Sequence, residues 1–142
     1  MIKAEGIQFF LELANGVQSK PVANYYIGLC EDAEDTISKT AALADLTELT
    51  GNGYSRQAVT ADAAGMVSAP HGDSGRKLTS SEVTFTAAGG AWNLARTRFL
   101  ATTSDNSGKL ISTEPVNSGA GVALADTESY DCTMTVNSEP PA

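Results

Sequence analysis

The single histidine, His71, lies in Ala69-Pro70-His71-Gly72-Asp73-Ser74, so a base, a carboxylate and a hydroxyl follow one another closely. Acyl transfer by such a set needs the three groups held rigidly by separate parts of a fold. Neighbours in a Gly- and Pro-rich stretch lack that support, and the expectation is an exposed loop histidine. Cys30 and Cys132 are about 100 residues apart. With one histidine they cannot supply a closed zinc site. They read as two free thiols acting as small core residues; a disulfide between the first and last core strands is the alternative, and it would require an oxidising environment. Glu31-Asp32-Ala33-Glu34-Asp35 concentrates four carboxylates in five residues, but it lacks the spacing and central glycine of a calcium loop. A solvated acidic loop is expected there. Among 17 acidic residues some pair will reach glycosidase separation by chance, which decides nothing. No Gly-rich turn follows a strand and opens a helix, so no phosphate loop is present. The reading is a protein without catalytic residues, metal or cofactor.

One cluster stands out for another reason. Tyr54 and Arg56 are two apart on one strand face, with Glu48 just before the turn Gly51-Asn52-Gly53. Arginine can stack on an aromatic ring and pair with a carboxylate. The group is read chiefly as a pin for strand and turn, with ligand contact as the alternative.

The elements that must position these residues are short. Ile7, Phe10, Leu11 and Ala14 recur at helical spacing, which predicts a helix over 6–15 closed by Gly16. A second short helix is placed within 40–46. Strands are predicted over 24–30, 54–60, 81–87, 91–102, 110–116 and 130–136, from alternation and from β-branched and aromatic content. Pro115 puts its strand at an edge or near its own end. Residues 61–79, small and polar, read as a long surface loop, and 137–142 as a flexible tail after a 1–20 helical arm. The whole, 1–142, is expected to be one β-sandwich domain, mainly β and antiparallel. Val83, Phe85, Ile27, Leu29 and Met134 should be buried.

Composition narrows the partners. The net charge is −8, and the nine basic residues are dispersed, whereas a nucleic-acid binder needs clustered cations to neutralise phosphates. No stretch approaches the ~20 apolar residues of a membrane span. No signal peptide is recognised, so synthesis in the cytoplasm is expected.

Four segments together resemble a family of small phage virion proteins, of the decoration, capsid cement or tail-fibre-like kind. They are Asn24-Tyr25-Tyr26-Ile27-Gly28-Leu29-Cys30; Leu46-Thr47-Glu48-Leu49-Thr50-Gly51-Asn52-Gly53-Tyr54-Ser55-Arg56-Gln57; Val83-Thr84-Phe85 followed by Gly89-Gly90-Ala91-Trp92; and Phe99-Leu100-Ala101-Thr102 with Gly108-Lys109-Leu110. The resemblance implies a jelly-roll-like β-sandwich that assembles on a virion. It further implies a homotrimeric decoration protein, bound to the major capsid protein on the capsid exterior and stabilising the shell. A tail or fibre component is the alternative. A carbohydrate-binding β-sandwich, with Trp92 or Tyr25 and Tyr26 stacking on sugars, is a second. Candidate interface and structural residues are Ile7, Phe10, Leu11, Glu48, Tyr54, Arg56 and Trp92. The segment Ile7 to Leu13 is too apolar for a free surface helix and must pack on the sandwich or on a neighbouring chain.

Overall fold

A computed structural model describes residues 1–14, 22–71 and 75–138. It contains one α-helix, α1 (Ala4–Ala14), and among the described residues nine strands: β1 (Asn24–Cys30), β2 (Gln57–Thr60), β3 (Met66–His71), β4 (Gly75–Ser80), β5 (Val83–Thr86), β6 (Thr97–Ala101), β7 (Leu110–Pro115), β8 (Ser129–Cys132) and β9 (Thr135–Ser138). All pairings are antiparallel. They form open sheets in the orders β2-β1-β6-β7, β3-β4-β9 and β5-β8. The fold is mainly β, an antiparallel sandwich with a short N-terminal helix, as the alternation predicts.

The four-stranded sheet is covered on both faces. Ile27, Leu29, Leu100 and Ile111 point into the main core, with Val83, Phe85 and Val136 from the smaller sheets and Met134 from the link between β8 and β9. Cys30, Phe99, Ala101 and Leu110 point the other way, under Leu43 and Ala41. The alternating parity of these strands explains the split. It also puts the two cysteines on opposite sides of the sheet, free and buried. At Gly28, opposite Phe99 in the β1–β6 register, an added Cβ would lie 2.3 Å from the Phe99 ring. Glycine is what lets that ring lie against β1.

Several predicted elements are corrected. The segment 61–79 is not a loop: most of it forms β3 and β4, paired antiparallel from Met66–Ser80 to His71–Gly75, and residues 72–74 lie outside the described residues. Its strands lack β-branched density, and Pro70 is tolerated because β3 is a sheet edge. The strand predicted over 54–60 starts at Gln57. The strand over 91–102 shortens to β6. Residues 91–96 instead run irregularly beside 122–124, with Trp92 N–H donating to the Leu124 carbonyl, so Trp92 is buried and Leu94 is exposed. The strand over 130–136 breaks after Cys132 and changes sheets: β8 pairs with β5 and β9 with β4. At the break Ser80 N–H donates to the Met134 carbonyl, and Ser80 Oγ accepts from Met134 N–H at 2.8 Å. Parity survives the break, so Cys132, Met134 and Val136 all stay buried. The second short helix is a single 3₁₀ turn, Leu43–Asp45.

Helix α1 begins two residues earlier than predicted, and the predicted stop at Gly16 lies outside the described residues. Its buried face is also rotated by one residue. Gly6 and Phe9 are buried, Phe10 and Leu13 partly so, and Ile7 and Leu11 are exposed. Gly6 is the cause: a Cβ there would lie 2.4 Å from the Ile111 carbonyl oxygen. The helix rests on β7 through that glycine, and this contact sets its rotation.

Candidate functional site

Glu48, Tyr54 and Arg56 come together as their spacing predicts. Arg56 donates from Nε to Glu48 Oε1 at 2.9 Å and from Nη2 to Oε2 at 2.7 Å, a bidentate fork. Its remaining donors reach the carbonyls of Thr103 and Asp105 and Asn106 Oδ1. The guanidinium lies 5.0 Å from the Phe99 ring centroid, and the side chain is 3% exposed. Tyr54 Oη donates to Glu48 Oε1 and accepts from Leu29 N–H, both at 2.8 Å. Burial first, and the Glu48 carboxylate after it, push the Tyr54 hydroxyl well above its usual pKa. Every Arg56 donor is spent inside the protein, so this cluster ties the turn at 51–53 to β1 and to the 103–106 loop and offers nothing to a ligand. Trp92 joins it: its indole N–H donates to the Asn52 carbonyl at 2.8 Å, and its ring meets Tyr54 edge-on. A ring held in this way cannot stack on a sugar.

The helix residues separate. Phe10 turns inward against Phe9 and lines an apolar cleft with Ile2, Leu78 and Val136. Ile7 and Leu11 are 47% and 58% exposed. The acidic run is pinned rather than freely solvated. Asp32 accepts from Thr47 N–H and hydroxyl, Glu34 accepts from the Thr113 hydroxyl, and residues 34–36 form a 3₁₀ turn. Among the described residues no group of three or more His, Cys, Asp or Glu is placed to hold a metal ion. Among them no helix is long and apolar enough to cross a membrane.

A polar cavity of about 570 Å³ lies between the β3-β4-β9 sheet and the end of β7. His71, at the end of β3, sits on its wall and not on a loop. Arg98 and Glu114, cross-strand partners on β6 and β7, form one side, with Arg98 Nη2 2.7 Å from Glu114 Oε2. Burial opposes the Arg98 charge, but Glu114 outweighs it and raises the pKa. Glu114 Oε1 also accepts from Thr135 N–H at 2.9 Å, joining β7 to β9. Lys77 and Asn137, directly opposite each other on β4 and β9, form the other side. Asn117 and Ser118, with φ of 48° and 55°, complete the wall. Sequence reasoning missed this set. Lys77/Thr79 and Thr135/Asn137 each alternate with apolar residues, which marks a polar face, but no local signal pairs β4 with β9.

A family model for podophage GP4 fiber I protein gp80 matches residues 10–132. The match runs from within α1 to the end of β8, so the chain belongs to this family and is a phage virion structural protein. A search of curated proteins found no match.

Proposed function

With membership of the podophage fibre family as premise, we propose that the protein is a fibre component of the virion, assembled through contacts with copies of itself and with neighbouring virion proteins. The observation that carries this is the family match over residues 10–132. It favours the tail or fibre alternative over the capsid cement reading. The saturated Glu48–Tyr54–Arg56 cluster suits a rigid building block, because its polar groups are spent on holding turns and not on binding. Ile7, exposed on α1, is a helix residue available to a neighbouring chain.

Copy number and position in purified particles test the proposal. A fibre component is expected in few copies, grouped at the tail end in a cryo-electron map. Particles lacking it should assemble, retain DNA on heating and adsorb poorly to cells. Hundreds of copies spread over the shell, with heat-labile particles in their absence, would overturn the fibre reading in favour of cement.

A further inference from the structure

The polar cavity differs from the Arg56 cluster in one respect: it keeps hydrogen-bond donors that nothing in the described chain accepts. Lys77 lines it and has no ion-pair or hydrogen-bond partner among the described residues. Asn137 stands directly opposite on β9. Its amide oxygen is buried without a partner. The two ends of a carboxamide point apart, so the NH2 is the end left to the cavity. Directly opposed residues share a sheet face, with Cβ atoms about 5 Å apart, so ammonium and amide can reach one bound group. Arg98 adds a third donor. Of its five N–H groups, those on Nε and one on Nη2 go to Glu114, and those on Nη1 go to the Pro115 carbonyl and the Tyr130 hydroxyl. The second Nη2 hydrogen is unspent. The Ser118 hydroxyl, also on the wall, is a fourth donor without a partner among the described residues.

Charge and hydrogen-bonding sense together select the ligand. The chain carries a net charge of −8, yet Lys77 and Arg98 face the single carboxylate of Glu114 here. That carboxylate is committed to Arg98 and to Thr135 N–H. A concave site of one sign draws counter-ions even on a molecule of the opposite net charge. A metal ion needs acceptors together, and an apolar ligand would strand the donors. An oxyanion brings acceptors and negative charge at once, and its bonds to ammonium and guanidinium are the strong, charge-assisted kind. Donors on four separate side chains suit the three terminal oxygens of a phosphate group better than the two of a carboxylate. The cavity, about 570 Å³, also has room for the group that bears the phosphate.

We propose that this cavity is an oxyanion site, taking inorganic phosphate or a phosphate monoester. Lys77 Nζ and the unspent Nη2 hydrogen of Arg98 carry the charge-assisted bonds, and the Asn137 amide and the Ser118 hydroxyl orient the group. Asn117 and Ser118 hold left-handed backbone without being glycine, a conformation that persists only where its surroundings impose it. That turn is what sets the hydroxyl on the wall facing the sheet.

Nuclear magnetic resonance of the full chain tests this, in titrations with inorganic phosphate, glycerol phosphate and acetate at an ionic strength held constant with sodium chloride. Saturable shifts are expected at the Ser118 backbone amide and the Asn137 side-chain amide with at least one of the two phosphates. Binding of glycerol phosphate would identify an esterified group as the ligand, and binding of inorganic phosphate alone the free ion. Lys77→Met should weaken binding about tenfold, the loss expected for one charge-assisted hydrogen bond, and Lys77→Arg should retain it. Lys39→Met removes the same charge from an exposed position that does not line the cavity and should leave the affinity unchanged. No saturable shift with either phosphate, acetate bound as tightly as phosphate, or equal losses in Lys77→Met and Lys39→Met would overturn the proposal. Oxyanion binding by the isolated chain does not depend on where in the virion the chain sits, so a chain found all over the shell would sink the fibre reading alone.

Discussion

At Arg56 burial and pairing act in opposite directions. Taking a guanidinium out of water is costly, and only complete pairing makes it tolerable. Here pairing is complete, through the fork on Glu48 and the carbonyls of the 103–105 loop. Arg56→Ala leaves Glu48, Asn106 Oδ1 and those carbonyls without their donor, so a loss of about 3–5 kcal/mol is expected in urea denaturation. Arg56→Lys should recover little, since an ammonium cannot reproduce the fork. The thiols give a prediction in pH. Burial pushes Cys30 from 9.0 up to about 12 and Cys132 up to about 11. The folded state therefore holds these protons more tightly than the unfolded chain. The resulting stability is fully present below pH 9.0 and is lost as pH rises through about 11 and then 12. The urea midpoint should fall on that alkaline side. At neutral pH both thiols should be silent to a thiol reagent in the folded protein and react once it is denatured. Cys30 and Cys132 were legible as free core residues from their isolation in the sequence. The Arg56 cluster was legible as well, because its three members fall within nine residues. The Thr103 and Asp105 carbonyls that complete it were not, because they lie more than forty residues away and carry no distinguishing side chain.

Helix α1 shows how an element's own pattern can mislead. Ile7, Phe10, Leu11 and Ala14 form an apolar stripe, but the stripe that packs contains Gly6, Phe9, Phe10 and Leu13. Both satisfy helical periodicity, and the choice falls to the glycine that approaches Ile111. Alanine favours a helix over glycine by about 1 kcal/mol, yet Gly6→Ala should destabilise the protein by about 1–3 kcal/mol, because the Cβ meets backbone that cannot move aside. A higher thermal midpoint in Gly6→Ala would show that this contact does not hold the helix. The exposed pair should behave oppositely: Ile7→Ser with Leu11→Ser should leave the thermal midpoint of the isolated chain within a few degrees of the parent, consistent with the small effect of surface substitutions.

Across the molecule, the N-terminal segment closes a sheet edge. The Met1 amino group meets the Thr113 carbonyl, Ile2 bridges Ser112, and Lys3 N–H donates to the Ile111 carbonyl at 2.8 Å. The wholly buried Lys3 reaches the Ile37 carbonyl with its ammonium at 3.1 Å. Burial lowers its pKa against the opposing pull of Glu34. Glu5 then accepts from Leu110 N–H. Removal of residues 1–14 should bare the β7 edge, lower the melting temperature and promote self-association, which light scattering reads directly; bare strand edges are templates for pairing. A truncated chain that stays monodisperse and melts as before would show that the edge is protected by other means. The sequence by itself determined the class of fold, most strand positions and the parity of their side chains, so Ile27, Leu29, Phe85 and Met134 were identifiable as core. That information is local: a side chain's direction repeats every two residues in a strand, whatever the strand pairs with. Only the tertiary structure decided which strands pair, that 130–136 changes sheets, that 66–71 pairs with 75–80, and that Lys77 stands opposite Asn137. Those facts depend on contacts between distant segments, where the loss of chain entropy on closure is offset by burial and hydrogen bonding summed over the whole fold.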